Sequence, residues 1–369
     1  MKLLVTGANG FIGKNLVAQL KNEGYNEIYE YDINCTEDYL IQSVKGCDFI
    51  FHFAGVNRPQ SNSEFMVGNF DFTKKLLNLL IEHNNCCPIL VTSSIQATLD
   101  NPYGVSKKAS EDAIFRYGKI TGANTYVYRL PNVFGKWCRP NYNSVVATFC
   151  NNTVLDLPIV VSDENKQIEL VYIDDVVKDF ITTLNNLPVC NQEFCSIPLT
   201  YKITLGKLAD TIRSFRQSRE NLSIPDLSNG LIKKLYSTYL SYLPKDDFSY
   251  SLNTNADSRG AFTEFIRTDN KGQVSINISK PGSTKGHHWH NSKTEKFLVV
   301  SGNGIIKFRK IDSSEIIKYA VSGDKLEVVD IPPGYTHSIT NTGDSDMVTV
   351  MWANEEFDPT NPDTYFMEV

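Results

Sequence analysis

At 369 residues, with 41% hydrophobic and 21% charged content, the chain has the balance of a soluble globular protein and the length of two domains. A formal net charge of −6 with no long basic run argues against a nucleic-acid groove. No apolar run approaches the length of a membrane span.

The start, MKLLV, imitates a secretion signal, but Thr6, Gly7 and Asn9 interrupt it and it reads as a first strand. The helical pattern GFIGKNLVAQLKNEG follows, then the strand EIYEYD, then CDFIFHFAG, FDFTKKLLNLLIEH and PILVTSS. Strands alternating with helices predict an α/β fold, a Rossmann-type doubly wound parallel sheet. The last helical stretch, LIKKLYSTYLSYL, ends at Pro244. All eight cysteines fall in the first 195 residues and none forms a CxxC pair. Scattered thiols suit a reducing cytoplasm, and each reads as a small packing residue.

Beyond about residue 245 the pattern becomes short alternating strands: FTEFIR, QVSINIS, KFLVV, IIKFRK, KLEVVDI, HSITN and MVTVMW. Turn residues separate them at Asp269–Gly272, Pro281–Gly282, Ser301–Gly304 and Pro332–Gly334. This predicts an all-β sandwich or jelly roll. The expected domains are 1–243 and 244–369.

Two stretches carry chemistry. TGANGFIG places Gly7, Gly10 and Gly13 between a strand and a helix, where glycines let backbone approach a pyrophosphate and the helix N-terminus receives it. Asp32 ends the next strand, 19 residues after Gly13. A carboxylate there accepts from a ribose hydroxyl, and no arginine follows closely, so residue chemistry leans towards NADH. Tyr103 and Lys107 stand four apart on one helical face, where an ammonium favours the phenolate and is expected to lower the tyrosine pKa.

The second stretch is GHHWHNSKTEKFLVVSGNG, which holds three of the six histidines. His288 and His290 are two apart, on one face of a candidate strand. Glu295 follows after a polar turn, and His337 returns in PPGYTHSITN. Three imidazoles and a carboxylate suit zinc or another borderline divalent ion. His287 points away and reads as a bystander.

Residues 1–243 resemble the extended short-chain dehydrogenase/reductases. The resemblance rests on TGANGFIG, HFAG (His52–Gly55), Asn69, the Tyr103/Lys107 pair, YRLPNVFG and VYIDDVV. It implies Ser94 as the hydroxyl that orients a substrate carbonyl, Tyr103 as proton donor and Lys107 as its tuner. Ser93 and Thr92 stand beside Ser94 and leave that choice open. The implied cofactor contacts are Gly7, Asn9, Gly10, Phe11, Ile12, Gly13, Asp32 and Ala54, with Tyr103 and Lys107; Asn132 lies near a sugar-nucleotide substrate. Only eight residues separate Ser94 from Tyr103, where the family usually carries a longer loop. Ile95 and Gln96 stand where the family's dehydratases carry an acidic pair, so water elimination is disfavoured.

Gly282, His288, His290, Glu295 and Gly302 match the first cupin motif, and Pro332, Gly334, His337 and Asn341 match the second. Leu326 replaces the second motif's leading glycine, with Gly323 three residues early. The segment DSRGAFTEF resembles the opening of sugar-nucleotide epimerase cupins and implies a diphosphate contact for Arg259.

The whole chain resembles bacterial capsular-polysaccharide enzymes that join a reductase to a cupin. That implies a UDP-linked 4-keto-6-deoxy-N-acetylhexosamine substrate, C3 epimerisation in a zinc cupin, NADPH-dependent C4 reduction and a homodimer. NADPH conflicts with the residue chemistry of Asp32, which favours NADH. The alternative is a redox-neutral NAD-dependent epimerase whose cupin is a structural or dimerisation module.

Overall fold

The computed structural model begins with five strands: β1 (Leu3–Thr6), β2 (Ile28–Tyr31), β3 (Phe49–His52), β4 (Ile89–Ser94) and β5 (Thr125–Leu130). They pair in parallel in the order β2-β1-β3-β4-β5. Every residue of β1 and β3 is buried, as expected of central strands covered on both faces. Alternate side chains leave in opposite directions. Leu3, Val5, Phe49 and Phe51 join one apolar cluster, while Leu4 and Ile50 join another. Helix Phe11–Asn22 packs into the first cluster, and helices Glu37–Gly46 and Phe72–Glu82 into the second. This is the doubly wound arrangement the alternation predicts. The structure describes all residues except Gln60, Leu187, Gln192, 269–271, Phe357 and Asn361, and most of the turn expected at 269–272 lies outside the described residues.

The chain divides into two compact units, Met1–Ile212 with Lys234–Leu243, and Arg213–Lys233 with Pro244–Val369. Residues 213–233, expected in the first domain, group with the second. The physical reason is a strand pair: Ser223 and Ile224 lie in parallel register with Arg267 and Thr268.

One cysteine expectation fails. Cys190 and Cys195 face each other across a short antiparallel pair, 3.9 Å apart at Cα, and form a disulfide. Five-residue spacing carried no framework signal, because the hairpin that brings the two together is too short to show in the sequence.

The second unit is β-rich. One sheet runs Ser223–Ile224, Gly260–Thr268, Gly272–Ser279, Met347–Ala353, Glu295–Ser301 and Val328–Ile331, with Thr254–Asp257 paired to Gly260–Thr268. The other runs Ile316–Ser322, Asn303–Lys310, Tyr335–Asn341, Thr284–Trp289 and Tyr365–Phe366. Phe297 and Val299 of the first meet Ile306, Phe308 and Ile339 of the second in one buried core. The strand Ile316–Ser322 was not expected; it is mostly exposed and lies at a sheet edge, so it lacks the half-buried alternation that marks its neighbours.

Candidate functional site

The first unit builds a nucleotide-shaped loop between β1 and helix Phe11–Asn22. Gly7 has φ +70°, and a Cβ there would lie 2.8 Å from the Ala54 nitrogen. A Cβ on Gly13 would lie 2.2 Å from the Gly7 carbonyl oxygen. Only glycines allow this close approach of loop, helix and β3. Gly10 caps the helix without a side-chain bond, leaving the N–H groups of the first turn, Phe11 and Ile12 among them, directed at the loop. Asp32 accepts the Asn9 N–H at 2.8 Å and the Ile33 N–H at 2.7 Å. The loop thus fits a dinucleotide, and its backbone is tied to the carboxylate expected beside a ribose.

At the same carboxyl edge of the sheet, β4 ends in Ser93 and Ser94, and helix Pro102–Thr121 brings Tyr103 and Lys107. Asn101 caps this helix, its side chain accepting the Gly104 N–H at 2.8 Å, with Pro102 at the first helical position. The two serines separate cleanly. Ser93 is buried and donates to Glu111 Oε1 at 2.6 Å. The Ser94 hydroxyl lies near enough to the Tyr103 phenol to oppose the rise in its pKa and accepts the Gln96 N–H at 3.1 Å. Ser93 is thus committed to Glu111, and Ser94 is the serine whose hydroxyl influences the tyrosine.

Burial raises the Tyr103 pKa, and the nearby Ser94 hydroxyl offsets part of that rise. This reverses the expected direction. Lys107 Nζ lies 6.0 Å from the Tyr103 ring centroid and donates to the Thr92 carbonyl at 3.2 Å. Burial depresses the lysine itself to about 8, with Glu111 partly offsetting. Below it, Asn69 bonds Val56 N–H at 2.9 Å and Ser106 at 3.0 Å. His52 sits between Thr6 at 2.7 Å and Thr73 at 2.9 Å, and burial holds it neutral. Asn132 begins a strand outside the main sheet and donates to the Glu169 carbonyl at 3.0 Å.

The sequence reading missed the support behind Lys107. Glu111, one turn further along the helix, accepts Arg129 Nε at 2.9 Å and Nη2 at 2.7 Å, and is 1% exposed. A lone helical glutamate and a strand arginine carry no signal until the fold joins them.

In the second unit His288, His290, Glu295 and His337 converge, their ligand atoms all within 4.8 Å of one another. Glu295 Oε2 lies 3.3 Å from His290 Nε2 and 3.4 Å from His337 Nε2. The His290 Nδ1 meets the Asp363 carbonyl, which can only accept, so Nδ1 carries the hydrogen and Nε2 is free to ligate. The Asp363 carboxylate accepts the N–H groups of Asn291, Ser292 and Lys293, at 2.9, 2.7 and 2.9 Å, which fixes the turn between His290 and Glu295. Sequence reading missed Asp363 because it lies some seventy residues away. His337 is 1% exposed, and among the described residues neither of its ring nitrogens makes a hydrogen bond of good geometry. Buried polar atoms left in this state ask for a further partner, and the donor set fits a divalent metal ion. Burial, then the neighbouring imidazoles, depress His288 to about 4. Burial alone would raise Glu295; the adjacent imidazoles of His290 and His337, with Lys293, outweigh it and hold the carboxyl well below its usual range.

His287 has φ +59° and turns its Nδ1 towards the Val369 N–H at 3.4 Å, outside the cluster. His288 and His337 line a cavity of about 610 Å³; Arg259 lines it too, paired with Asp257 at 2.7 Å and more than half exposed.

Residues 3–191 match the NAD dependent epimerase/dehydratase family, just over half of the chain. This chain belongs to that family. Within it, residues 255–365 match the polysaccharide biosynthesis C-terminal domain. A family member from Pseudomonas aeruginosa, UDP-2-acetamido-2,6-beta-L-arabino-hexul-4-ose reductase, is 46% identical over 369 residues, covering 100% of this chain and 99% of that one. The crystal structure of the capsular polysaccharide assembling protein CapF from Staphylococcus aureus superposes with a TM-score of 0.95 at 51% identity, covering both chains fully. A structure of CapF with the inhibitor 3-isopropenyl-tropolone gives 0.90 at 47% identity, again over both full chains.

Proposed function

We propose that this protein is a bifunctional sugar-nucleotide enzyme. The second unit, read as a cupin, epimerises C3 of a UDP-2-acetamido-2,6-dideoxy-4-hexulose. The first unit then reduces the C4 ketone with NADPH, giving a UDP-N-acetyl-L-talosamine-type precursor of N-acetyl-L-fucosamine for capsular polysaccharide. The carrying observation is the convergence of His288, His290, Glu295 and His337, with His288 and His337 lining a cavity and the His337 ring nitrogens without a hydrogen bond among the described residues. The P. aeruginosa relative's name supports the UDP-linked 4-keto substrate, and the S. aureus relative's supports the capsule. The inhibitor bound in the second CapF structure supports the metal, because a tropolone is a bidentate oxygen chelator.

A bound zinc or similar divalent ion supplies Lewis acidity to a ketone, and a bound nicotinamide supplies hydride. The chain's residues do the rest. His288, His290, Glu295 and His337 hold the ion. Gly7, Asn9, Gly10, Phe11, Ile12, Gly13, Asp32 and Ala54 hold the nucleotide. Ser94 orients the C4 carbonyl, Tyr103 gives its oxygen a proton, and Lys107 contacts the cofactor ribose. Asn132 and Arg259 bind the sugar nucleotide. The order follows from acidity: a C–H beside a ketone ionises, and reduction removes the ketone, so epimerisation comes first. The reading carries with it a homodimer and a cytoplasmic location, where a reduced cofactor pool drives the second step.

The test follows deuterium at C3 and cofactor oxidation together, in the full chain with a 4-keto sugar nucleotide in deuterium oxide. Tyr103→Phe is expected to keep C3 exchange and lose C4 reduction. The His290→Ala, Glu295→Ala variant is expected to lose metal and exchange. Unchanged exchange in that metal-free variant would overturn the assignment.

A further inference from the structure

One basic side chain in the metal cavity has no part in the proposal above. Lys285 lies three residues before His288, and on a regular strand an odd spacing sends two side chains to opposite faces. Here the strand carries a bulge between Gly286 and His288. Lys285 pairs with Ile339 and His288 with His337, partners two residues apart on their own strand. The extra residue, His287, thus returns Lys285 to the interior face, and it lines the same 610 Å³ cavity as His288 and His337.

Its amine is held by neutral acceptors alone. Lys285 Nζ donates to Asn277 Oδ1 at 2.6 Å and to the Ile278 carbonyl at 3.1 Å. A neutral amine has two hydrogens and one lone pair, so these two bonds use both hydrogens and leave the pair free. The charged groups acting on it among the described residues are Asp257 and Arg259, which neutralise each other at 2.7 Å; the imidazoles of His288 and His337 line the same cavity. Phe262, Ile339 and Met351 supply apolar wall. Burial lowers the lysine pKa, with Asp257 opposing and Arg259 adding to the fall.

We propose that Lys285 is the acid–base residue of this cavity, removing the proton from the carbon beside the ketone of a 4-keto sugar nucleotide. This rests on the epimerase reading of the second unit. The neutral amine takes the proton, the C–H pair becomes the C3–C4 double bond, and the carbonyl π pair moves onto the C4 oxygen. A water molecule protonates C3 on the opposite face as that oxygen returns its pair, and the hydroxide left behind takes the proton from the ammonium. The centre is inverted and both amine and water are restored.

The experiment measures C3 deuterium exchange in the full-length protein for wild type, Lys285→Ala, Lys285→Arg and the His290→Ala, Glu295→Ala variant. Metal content and melting are read alongside. Lys285→Ala and Lys285→Arg are expected to keep the metal and lose exchange by about 10²–10⁴-fold, the usual worth of a positioned acid–base group. Arginine keeps the charge and cannot release its proton. Added methylamine is expected to restore exchange to Lys285→Ala in proportion to its concentration, which a merely structural lysine does not allow. Wild-type exchange is expected to climb with pH along a limb that Lys285→Arg lacks. If wild type shows no exchange, or the metal-ligand variant exchanges normally, the epimerase reading itself fails. If wild type exchanges and Lys285→Ala stays within about threefold in kcat, shifts only KM, or is not rescued by amine, Lys285 is not the base.

Discussion

Arg129→Met would isolate a buried carboxylate. Glu111 is 1% exposed and accepts from Ser93 at 2.6 Å and from Arg129 at 2.9 and 2.7 Å. Arg129 also lies over the Phe194 ring, 3.6 Å from its centroid. Methionine keeps that apolar contact and removes both charged donors, leaving one hydroxyl for two oxygens. Stripping one partner from a buried pair costs about 3–5 kcal/mol. Arg129 is 21% exposed, so water reaches part of the vacated space. The lower end, about 3 kcal/mol, is therefore expected. For a unit of this size that lowers the melting temperature by about 6–12 °C. The assay is thermal and urea unfolding of the full chain, followed by circular dichroism. The double variant Glu111→Gln, Arg129→Met carries no buried charge and keeps a Ser93 acceptor. It is expected to recover at least about 1.5 kcal/mol of the loss. A single-variant loss below about 1 kcal/mol, or strict additivity, would falsify the view that this pair braces the end of β4.

Three further outcomes follow from other parts of the molecule. Lys107 has a folded-state pKa of about 8, below its ordinary 10.5, so the unfolded chain binds the proton more tightly. The cofactor-free protein therefore gains stability as pH rises from about 8 towards 10.5, and Lys107→Met should be more stable than wild type at neutral pH by up to about 3 kcal/mol; pH-resolved unfolding that shows no convergence above that window refutes it. Asp363→Ala removes the acceptor for three N–H groups of the turn between two proposed metal ligands, and should weaken metal binding by about 10–100-fold in a chelator competition titration. The proposed preference for NADPH is tested by comparing kcat/KM for the two reduced cofactors; a clear NADH preference would instead make the Asp32 carboxylate the discriminator.

The parallel sheet was legible because its signal is local: buried strands bounded by glycine turns, each followed by a periodic helix. The glycine loop was legible for the same reason. Gly7, Gly10 and Gly13 sit in adjacent turns, and their crowding of Ala54 and of each other follows from the strand–turn–helix path. The pairing of Cys190 with Cys195, the capture of 213–233 by the second unit and the brace of Glu111 by Arg129 were not legible. Each depends on a contact between segments whose own sequence carries no mark of it. The tyrosine shift misled for a different reason. Helical spacing puts Lys107 on the same face as Tyr103, but side-chain reach places its nitrogen 6.0 Å from the ring and on the Thr92 carbonyl. Burial then decides the direction.

Strand parity is where sequence reasoning about the metal cavity needed the fold most. His288 and His290 do reach one cluster, as period-two alternation suggests, yet the strand ends at Trp289 and His290 is placed by the turn that Asp363 caps. Counting back from His288 by the same rule excludes Lys285 from the interior. A single extra residue at His287, in the left-handed region, reverses that exclusion. Period-two spacing already sets His287 apart from the ligands; what it does not show is the bulge itself, which lies beside Gly286 at φ +102°. The insertion has a structural support far along the chain: His287 accepts the Met367 N–H on its carbonyl at 2.9 Å, and its ring faces the Val369 N–H. The C-terminal segment therefore holds the register that brings a lysine and a histidine, three residues apart, to the same wall.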